Sequence, residues 1–254
     1  MRAAGVVALI CALAMLAGET PAAAERLVFA VSNHRVQINS SFTGAELVLF
    51  GTVEPNGVAR ERPSYDIVVT VTGPRQDVVT RRKARVVGIW VNAESRTFTA
   101  APTYLAVLSN RDLDLIAGPE TRRRLQLGLA NTVLSASNGS VDDDPFRAAL
   151  VRLNVDHGLY REDAKAVTFL TPNLFRGAIT LPANSPVGTY QIEVRLFQEG
   201  QQLASRESFL EVVKVGFESL VATEARERGL LYGVATVALA ILTGWLAAIV
   251  FRRD

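Results

Sequence analysis

Residues 190–196 read YQIEVRL, and apolar and polar side chains alternate along this stretch. Period-two alternation, with β-branched and aromatic residues at the apolar positions, predicts a strand that buries one face. Residues 65–72 read YDIVVTVT and place their apolar odd-numbered residues on one face in the same way. Residues 175–181 alternate as well. These three segments predict that half-buried strands build the core.

Further strand candidates and turns extend this pattern along the chain. Residues 45–53 are apolar on both faces in places, which favours a central strand. Gly- and Pro-containing breakers occur at 55–57 and 72–74, and residues 198–201 predict a hairpin turn. The remaining strand candidates are 27–31, 86–91, 104–108 and 208–215. Many short strands separated by turns predict a mainly β protein with an immunoglobulin-like antiparallel β-sandwich.

A helical insertion, about 118–165, interrupts the strands. Pro119 opens one predicted helix, which the four-residue spacing of Leu125 and Leu129 extends. Asp144 is a predicted N-cap of a second helix that Gly158 ends. Strands before and after this segment form either one sandwich or two small domains, and we favour one sandwich.

The N-terminal residues 1–24 resemble a secretory signal peptide. A basic start and a short apolar run precede small residues at 22–24, which predicts cleavage after Ala24. The alternative is a retained signal anchor, although the run is short for a span of about 20 residues. Cys11, the only cysteine, lies in this segment, so the mature chain contains no thiol for a disulfide, a nucleophile or a metal.

Residues 230–251 carry no charge and are long enough to cross a bilayer as a helix. A buried core helix is the alternative. The signal and the basic residues of the tail 252–254 predict a type I topology. We therefore expect a single-pass protein of the bacterial inner membrane, with residues 25–228 in the periplasm and the C-terminus in the cytoplasm.

Charge and ligand-forming residues exclude several functions. Residues 25–228 hold 24 basic and 23 acidic residues, so a nucleic-acid partner is not expected. His34 and His157 are distant in the sequence, and the acidic run 142–144 lacks the spacing of a calcium loop. Nucleophile, P-loop and dinucleotide motifs are missing from the sequence. We expect no metal, no cofactor and no enzymatic activity.

Two kinds of feature remain as binding candidates. The basic runs 81–83 and 122–124 are either solvated faces or contacts for lipid head groups or an anionic ligand. Small residues recur every four positions in the predicted span and define a candidate helix-packing face, which would contact another copy or a multi-span permease as well as the lipid bilayer. The four residues of this face are Thr236, Ala240, Gly244 and Ala248.

Several stretches are similar to one known family. They are 25–32 (ERLVFAVS), 34–38 (HRVQI), 42–45 (FTGA) and 181–190 (LPANSPVGTY). Together with the signal peptide they resemble the uncharacterised alphaproteobacterial transmembrane protein family. The resemblance implies a bacterial envelope protein that assists a transporter, because members are considered alongside permeases similar to sulfite exporters. We therefore predict a periplasmic binding or accessory module; an envelope enzyme and a structural or adhesive protein are the alternatives.

Overall fold

A computed structural model describes residues 25–54, 64–132, 145–216, 225–226 and 229–250. The helices are α1 (Leu113–Ile116), α2 (Pro119–Arg124), α3 (Leu129–Thr132), α4 (Pro145–Asp156) and α5 (Gly229–Val250). The strands are β1 (Arg26–Val31), β2 (Arg35–Ile38), β3 (Gly44–Glu54), β4 (Asp66–Thr72), β5 (Arg75–Val86), β6 (Ile89–Pro102), β7 (Leu105–Ser109), β8 (Tyr160–Asp163), β9 (Val167–Phe169), β10 (Leu174–Pro182), β11 (Gly188–Gln198) and β12 (Gln201–Lys214). The mainly β class with a C-terminal helix is confirmed.

Two sheets face each other across the main core. The smaller sheet has the order β1-β3-β10-β9, and the larger has the order β2-β12-β11-β4-β7-β8. Strands from before and after the helical segment contribute to both sheets, so the two strand blocks share one sandwich. Most ladders are antiparallel, but β2 pairs with β12 and β7 pairs with β8 in parallel. These two ladders differ from a purely antiparallel sandwich.

Alternation places the predicted apolar faces in this core. Ile67, Val69 and Val71 of β4 lie fully buried between the sheets with Tyr190 and the alternate residues of β11. The β3 strand lies between β1 and β10, as its two-sided apolar pattern predicted. The hairpin between β11 and β12 has a two-residue turn at Glu199 and Gly200, with φ of 49° and 83°. Positive φ at both turn residues matches the twist of the flanking strands.

A second core covers the other face of the larger sheet. Val68 of β4 and Val107 of β7 point away from the first core and are buried against the helices. The helices contribute Leu113, Ile116 and Leu150 to this layer. As a result β4 and β7 are buried on both faces, and the domain consists of sheet, sheet and helix layers.

The helical segment differs from its prediction in three places. It begins at Leu113, before the predicted residue 118, and its last part is the strand β8. The helix opened by Pro119 ends at Arg124, so the extension through Leu125 to Leu129 was wrong. Gln126 has a φ of 52°, and a left-handed residue cannot continue a right-handed helix.

Gly158 ends α4 as predicted. It has a φ of 71°, and the Leu159 amide donates to the Asn154 carbonyl over 2.8 Å. This bond and the left-handed glycine form the Schellman end of a helix. The predicted cap Asp144, the acidic run 142–144, the turn at 55–57, the signal 1–24 and the tail 252–254 lie outside the described residues.

The strands β5 and β6 form a two-stranded ribbon that we call the arm, residues 75–102. It continues the β4–β7 ladder outward, because the Gly73 amide donates to Tyr104 and the Thr103 amide donates to Pro74. The predicted strand 86–91 was wrong. Val87 and Gly88, with φ of 49° and 86°, form the turn at the tip of the arm. Because the residues around this turn are apolar, their pattern resembles that of a strand and does not reveal the turn.

Candidate binding surface

The base of the arm is fixed to the domain by buried residues. Phe98 of β6 is fully buried in the second core, and the Tyr160 hydroxyl donates to the Pro102 carbonyl over 2.6 Å. Between Pro102 and Phe98 a bulge bends the ribbon, and there the Ala100 amide donates to the Asp77 carboxylate over 3.0 Å. The arm therefore has a rigid attachment and a defined direction at its base.

The outer half of the arm contacts little else. From Arg81 to Thr97 every described side chain is exposed or partly exposed, and neither strand pairs with a third of the described strands. At about 3.3 Å per residue, the six residues from Arg81 to Val86 extend the ribbon by roughly 20 Å beyond Thr80, the last buried position of β5. An exposed two-stranded ribbon is marginally stable alone, so this one depends on its base.

A cationic cleft lies between the arm and α4. It has a volume of about 300 Å³. Arg81 on the arm and Arg152 on α4 line it, and the side chain of neither forms an ion pair or a hydrogen bond with a described residue. Arg96 packs its guanidinium 5.9 Å from the centre of the Phe146 ring, which helps to hold α4 beside the arm. The lining residues are Thr80, Arg81, Arg82, Lys83, Pro145, Phe146, Ala149 and Arg152.

The chemistry of this cleft favours an anion. Guanidinium groups present several N–H donors in a planar fork that matches carboxylate and phosphate oxygens. Within the described lining no carboxylate is present to neutralise them. Arg82 differs, because it pairs with Glu94 across the arm at 2.6 Å. Of the two basic runs singled out in the sequence, the one at 81–83 thus lies in the cleft and on the arm. No sequence pattern indicated that Arg152 lines the same cleft.

The other predicted residues do not form a site with this cleft. The run 122–124 lies on α2, where Arg122 pairs with Asp114 at 2.5 Å. His34 and His157 are exposed, after β1 and at the end of α4. Among the described residues no three His, Cys, Asp or Glu side chains gather as metal ligands would.

The buried tyrosines act as structural donors. The Tyr104 hydroxyl donates to the Thr180 carbonyl and the Tyr190 hydroxyl to the Pro186 carbonyl, both over 2.7 Å. Burial raises the pKa of Tyr190 and Tyr160 to about 12 and that of Tyr104 further. Burial, with a hydrogen bond to Glu25, also raises the pKa of Tyr65 to about 12. Neutral hydroxyls bound to carbonyls hold the fold together and are poor proton acceptors.

The helix α5 carries the predicted packing face. It has 22 residues, about 33 Å at 1.5 Å per residue, which spans the hydrocarbon core of a bilayer. Residues 232–249 are apolar enough to cross a membrane, and none of this stretch is buried. Thr236, Ala240, Gly244 and Ala248 are all exposed along one side of it. Their role in packing stays a prediction.

Two solved structures match this chain at low similarity. The sporulation control protein Spo0M from Bacillus subtilis is 11% identical with a TM-score of 0.29. The match covers 81% of this chain and 55% of the Spo0M chain. This chain therefore spans about half the length of that protein. BslA, a bacterial hydrophobin, is 13% identical with a TM-score of 0.23. The match covers 77% of this chain and 98% of the BslA chain.

Comparison with families is more informative. No curated protein matches the chain. The model of one family matches residues 26–253, which is nearly the whole sequence, and its description is "Putative transmembrane protein (Alph_Pro_TM)". This match confirms the resemblance seen in the sequence. Within the part of the chain that the structure describes, α5 is the one helix long and apolar enough to be a candidate span. The chain belongs to this alphaproteobacterial family of transmembrane proteins.

Proposed function

We propose that the chain is a single-pass inner-membrane protein whose periplasmic domain is a non-enzymatic binding module that assists a membrane transporter. The observation that carries this proposal is the cationic cleft, where Arg81 and Arg152 converge without a carboxylate among the described lining residues. A cleft with two guanidinium groups, and no carboxylate in its described lining, fits an acidic segment of a partner protein.

The membrane anchor supports the same function. A module tethered beside its partner gains a high effective concentration, so a shallow cleft of modest affinity is sufficient. The small-residue face of α5 would add a contact inside the bilayer, because small side chains let a second helix approach closely. The two contacts together favour a partner that is itself an integral membrane protein.

Photocrosslinking in native membranes tests the proposal. A photoreactive residue in place of Ala149, which lines the cleft, should give an adduct with one membrane protein, and the same residue at the exposed Thr168 of β9 should not. In the span, Gly244 is compared with Leu242, which lies off the small-residue face. The mass of the adduct distinguishes a permease from a second copy. If neither Ala149 nor Gly244 gave an adduct, the accessory role would be refuted.

Charge reversal supplies the second arm of the test. The variant R81E/R152E should lower the yield of the Ala149 adduct about tenfold or more, because each charge-assisted contact contributes about 1.5–3 kcal/mol. The exposed Arg176 of β10 is the matched control, and R176E should leave the yield unchanged. Equal losses in the two variants would show that the cleft charges do not select the partner.

A further inference from the structure

The tip of the arm exposes four large apolar side chains within five residues. Val87 is 98% exposed, Trp90 70%, Ile89 65% and Val86 48%. Other exposed apolar residues of the described outer domain are scattered along the chain, and the tip is their densest group. Such an exposed apolar group usually marks a site of interaction.

The conformation of the tip argues against a purely structural reason for these residues. Val87 has a φ of 49°, a left-handed conformation that strongly disfavours β-branched side chains. Asn, Asp or Gly would fit this turn position better. A strained and fully exposed valine lowers the stability of the hairpin, and strain of this kind concentrates at functional sites.

Cations lie directly behind the apolar tip. Lys83 and Arg85 occupy alternate positions of β5, so they share a face, and Trp90 is the cross-strand neighbour of Arg85. Residues 81–96 contain five basic residues and one acidic residue, Glu94, which pairs with Arg82. An apolar end followed by positive charge is the pattern of segments that bind an anionic bilayer surface.

The spacing fits the layers of a bilayer. Arg85 and Lys83 lie two and four residues from Val87, or about 7 and 13 Å along the strand. The polar layer on each side of the hydrocarbon core is about 5–8 Å thick. A tip at the hydrocarbon boundary therefore leaves Arg85 among the head groups and Lys83 just outside them, where its long side chain can reach a phosphate. Tryptophan prefers this boundary because its ring is apolar and its N–H is polar.

The anchor keeps the bilayer within reach. Fourteen residues separate the end of β12 at Lys214 from the start of α5 at Gly229, and they span at most about 50 Å. A second copy is a poorer occupant, because two tips with the same excess of positive charge repel one another.

We propose that the arm tip inserts into the head-group layer of an anionic bilayer, the membrane that holds α5. Val86, Val87, Ile89 and Trp90 enter the interface, while Lys83 and Arg85 contact lipid phosphates. This contact shares only Lys83 with the lining of the cleft of the proposed function, and it fixes the height of the domain above the membrane.

Trp90 is a built-in reporter. The chain has two tryptophans, so W245F leaves Trp90 as the only one. The full chain is reconstituted into vesicles of phosphatidylcholine and phosphatidylglycerol at a ratio of about three to one, with bromine-labelled acyl chains. Lipid bromine near the head groups should quench Trp90 fluorescence, and aqueous iodide should not. The complementary W90F variant reports Trp245 and controls for reconstitution.

Two sets of variants sharpen the measurement. K83Q/R85Q should lower the ratio of inserted to free tips about 30-fold, since each cation near an anionic surface contributes about fivefold. The distant R176Q is the matched control. V87N should weaken quenching while leaving the domain at least as stable, because Asn tolerates the left-handed turn and lacks the apolar side chain.

Each outcome decides the proposal. Quenching of Trp90 by iodide but not by lipid bromine would overturn it. Protection from both quenchers would also overturn it, since the tip would then be covered by protein. The Ala149 crosslink is read separately, so loss of lipid contact at Trp90 with an intact adduct at Ala149 would remove this inference and leave the proposed function standing.

Discussion

The inner and outer halves of one continuous ribbon behave in opposite ways. Residues of β4 and β7 are buried on both faces, whereas the same two strands, continued as β5 and β6, are exposed on both faces beyond Thr80. Backbone pairing is the same along the whole ribbon, so side chains and their surroundings make the difference. The inner half stabilises the domain, and the outer half is available for contact with something else.

The largest expected difference comes from a matched pair of isoleucines. Ile67 in the inner half is fully buried, and Ile89 at the tip is 65% exposed. I67A should lower the free energy of unfolding by about 2–5 kcal/mol, because it leaves a cavity in the core. I89A should change it by less than about 0.5 kcal/mol. Urea unfolding of the full chain in mild detergent measures both, and a large loss in I89A would mean that the tip is covered.

Two ion pairs extend the comparison to charge. Asp66, at the start of β4, is 1% exposed and accepts hydrogen bonds from Arg111 and from the Asn110 side chain. D66A should cost about 1.5–3 kcal/mol, since it leaves these donors without their charged partner. Glu94 in the arm pairs with Arg82 in solvent, so E94A should cost about 1 kcal/mol or less. Equal losses in the same unfolding assay would contradict the division of the ribbon.

Alkaline pH should destabilise the two cores that cover the inner half, because Tyr190 lies in the first core and Tyr160 in the second. Burial raises the pKa of Tyr160 and Tyr190 to about 12, above the value near 10 of an unfolded chain. The unfolded state therefore loses these protons first. The stabilisation is complete below pH 10 and is lost as the pH rises from about 10 to 12. Absorbance of tyrosinate against pH, followed with circular dichroism, should show late ionisation together with unfolding. Ionisation near pH 10 in a folded domain would refute it.

The smallest effect concerns one hydroxyl at the junction of the two halves. Y160F removes the hydrogen bond to the Pro102 carbonyl and should cost about 1 kcal/mol. Because this bond fixes the base of the arm, we expect amide hydrogen exchange to increase in residues 97–102 more than in β11. A uniform increase across the domain would indicate that the bond stabilises the fold in general.

Alternation of apolar and polar residues predicts the strands that bury one face and expose the other. The strands around Ile67, Ile179 and Ile192 followed their apolar periodicity, and the turn at Gly200 followed its glycine. The arm tip was not predictable in this way. Its apolar residues resemble a buried strand, and no local pattern distinguishes Trp90 at an exposed turn from a tryptophan in a core. The cationic cleft depends on a tertiary contact, since Arg81 and Arg152 are 71 positions apart.

The bulge and the Tyr160 hydrogen bond fix the base of the arm, so the length of its strands sets how far the tip reaches from the domain. Inserting two residues into β5 between Thr80 and Val86, and two into the facing part of β6, moves the tip by about 7 Å and leaves every side chain on its own face. A single residue inserted into each strand exchanges the two faces. The length of the arm can thus be changed in even steps without exchanging its two faces. The reach of the domain from its attachment can be reset by a change of length alone, without any change to the cores.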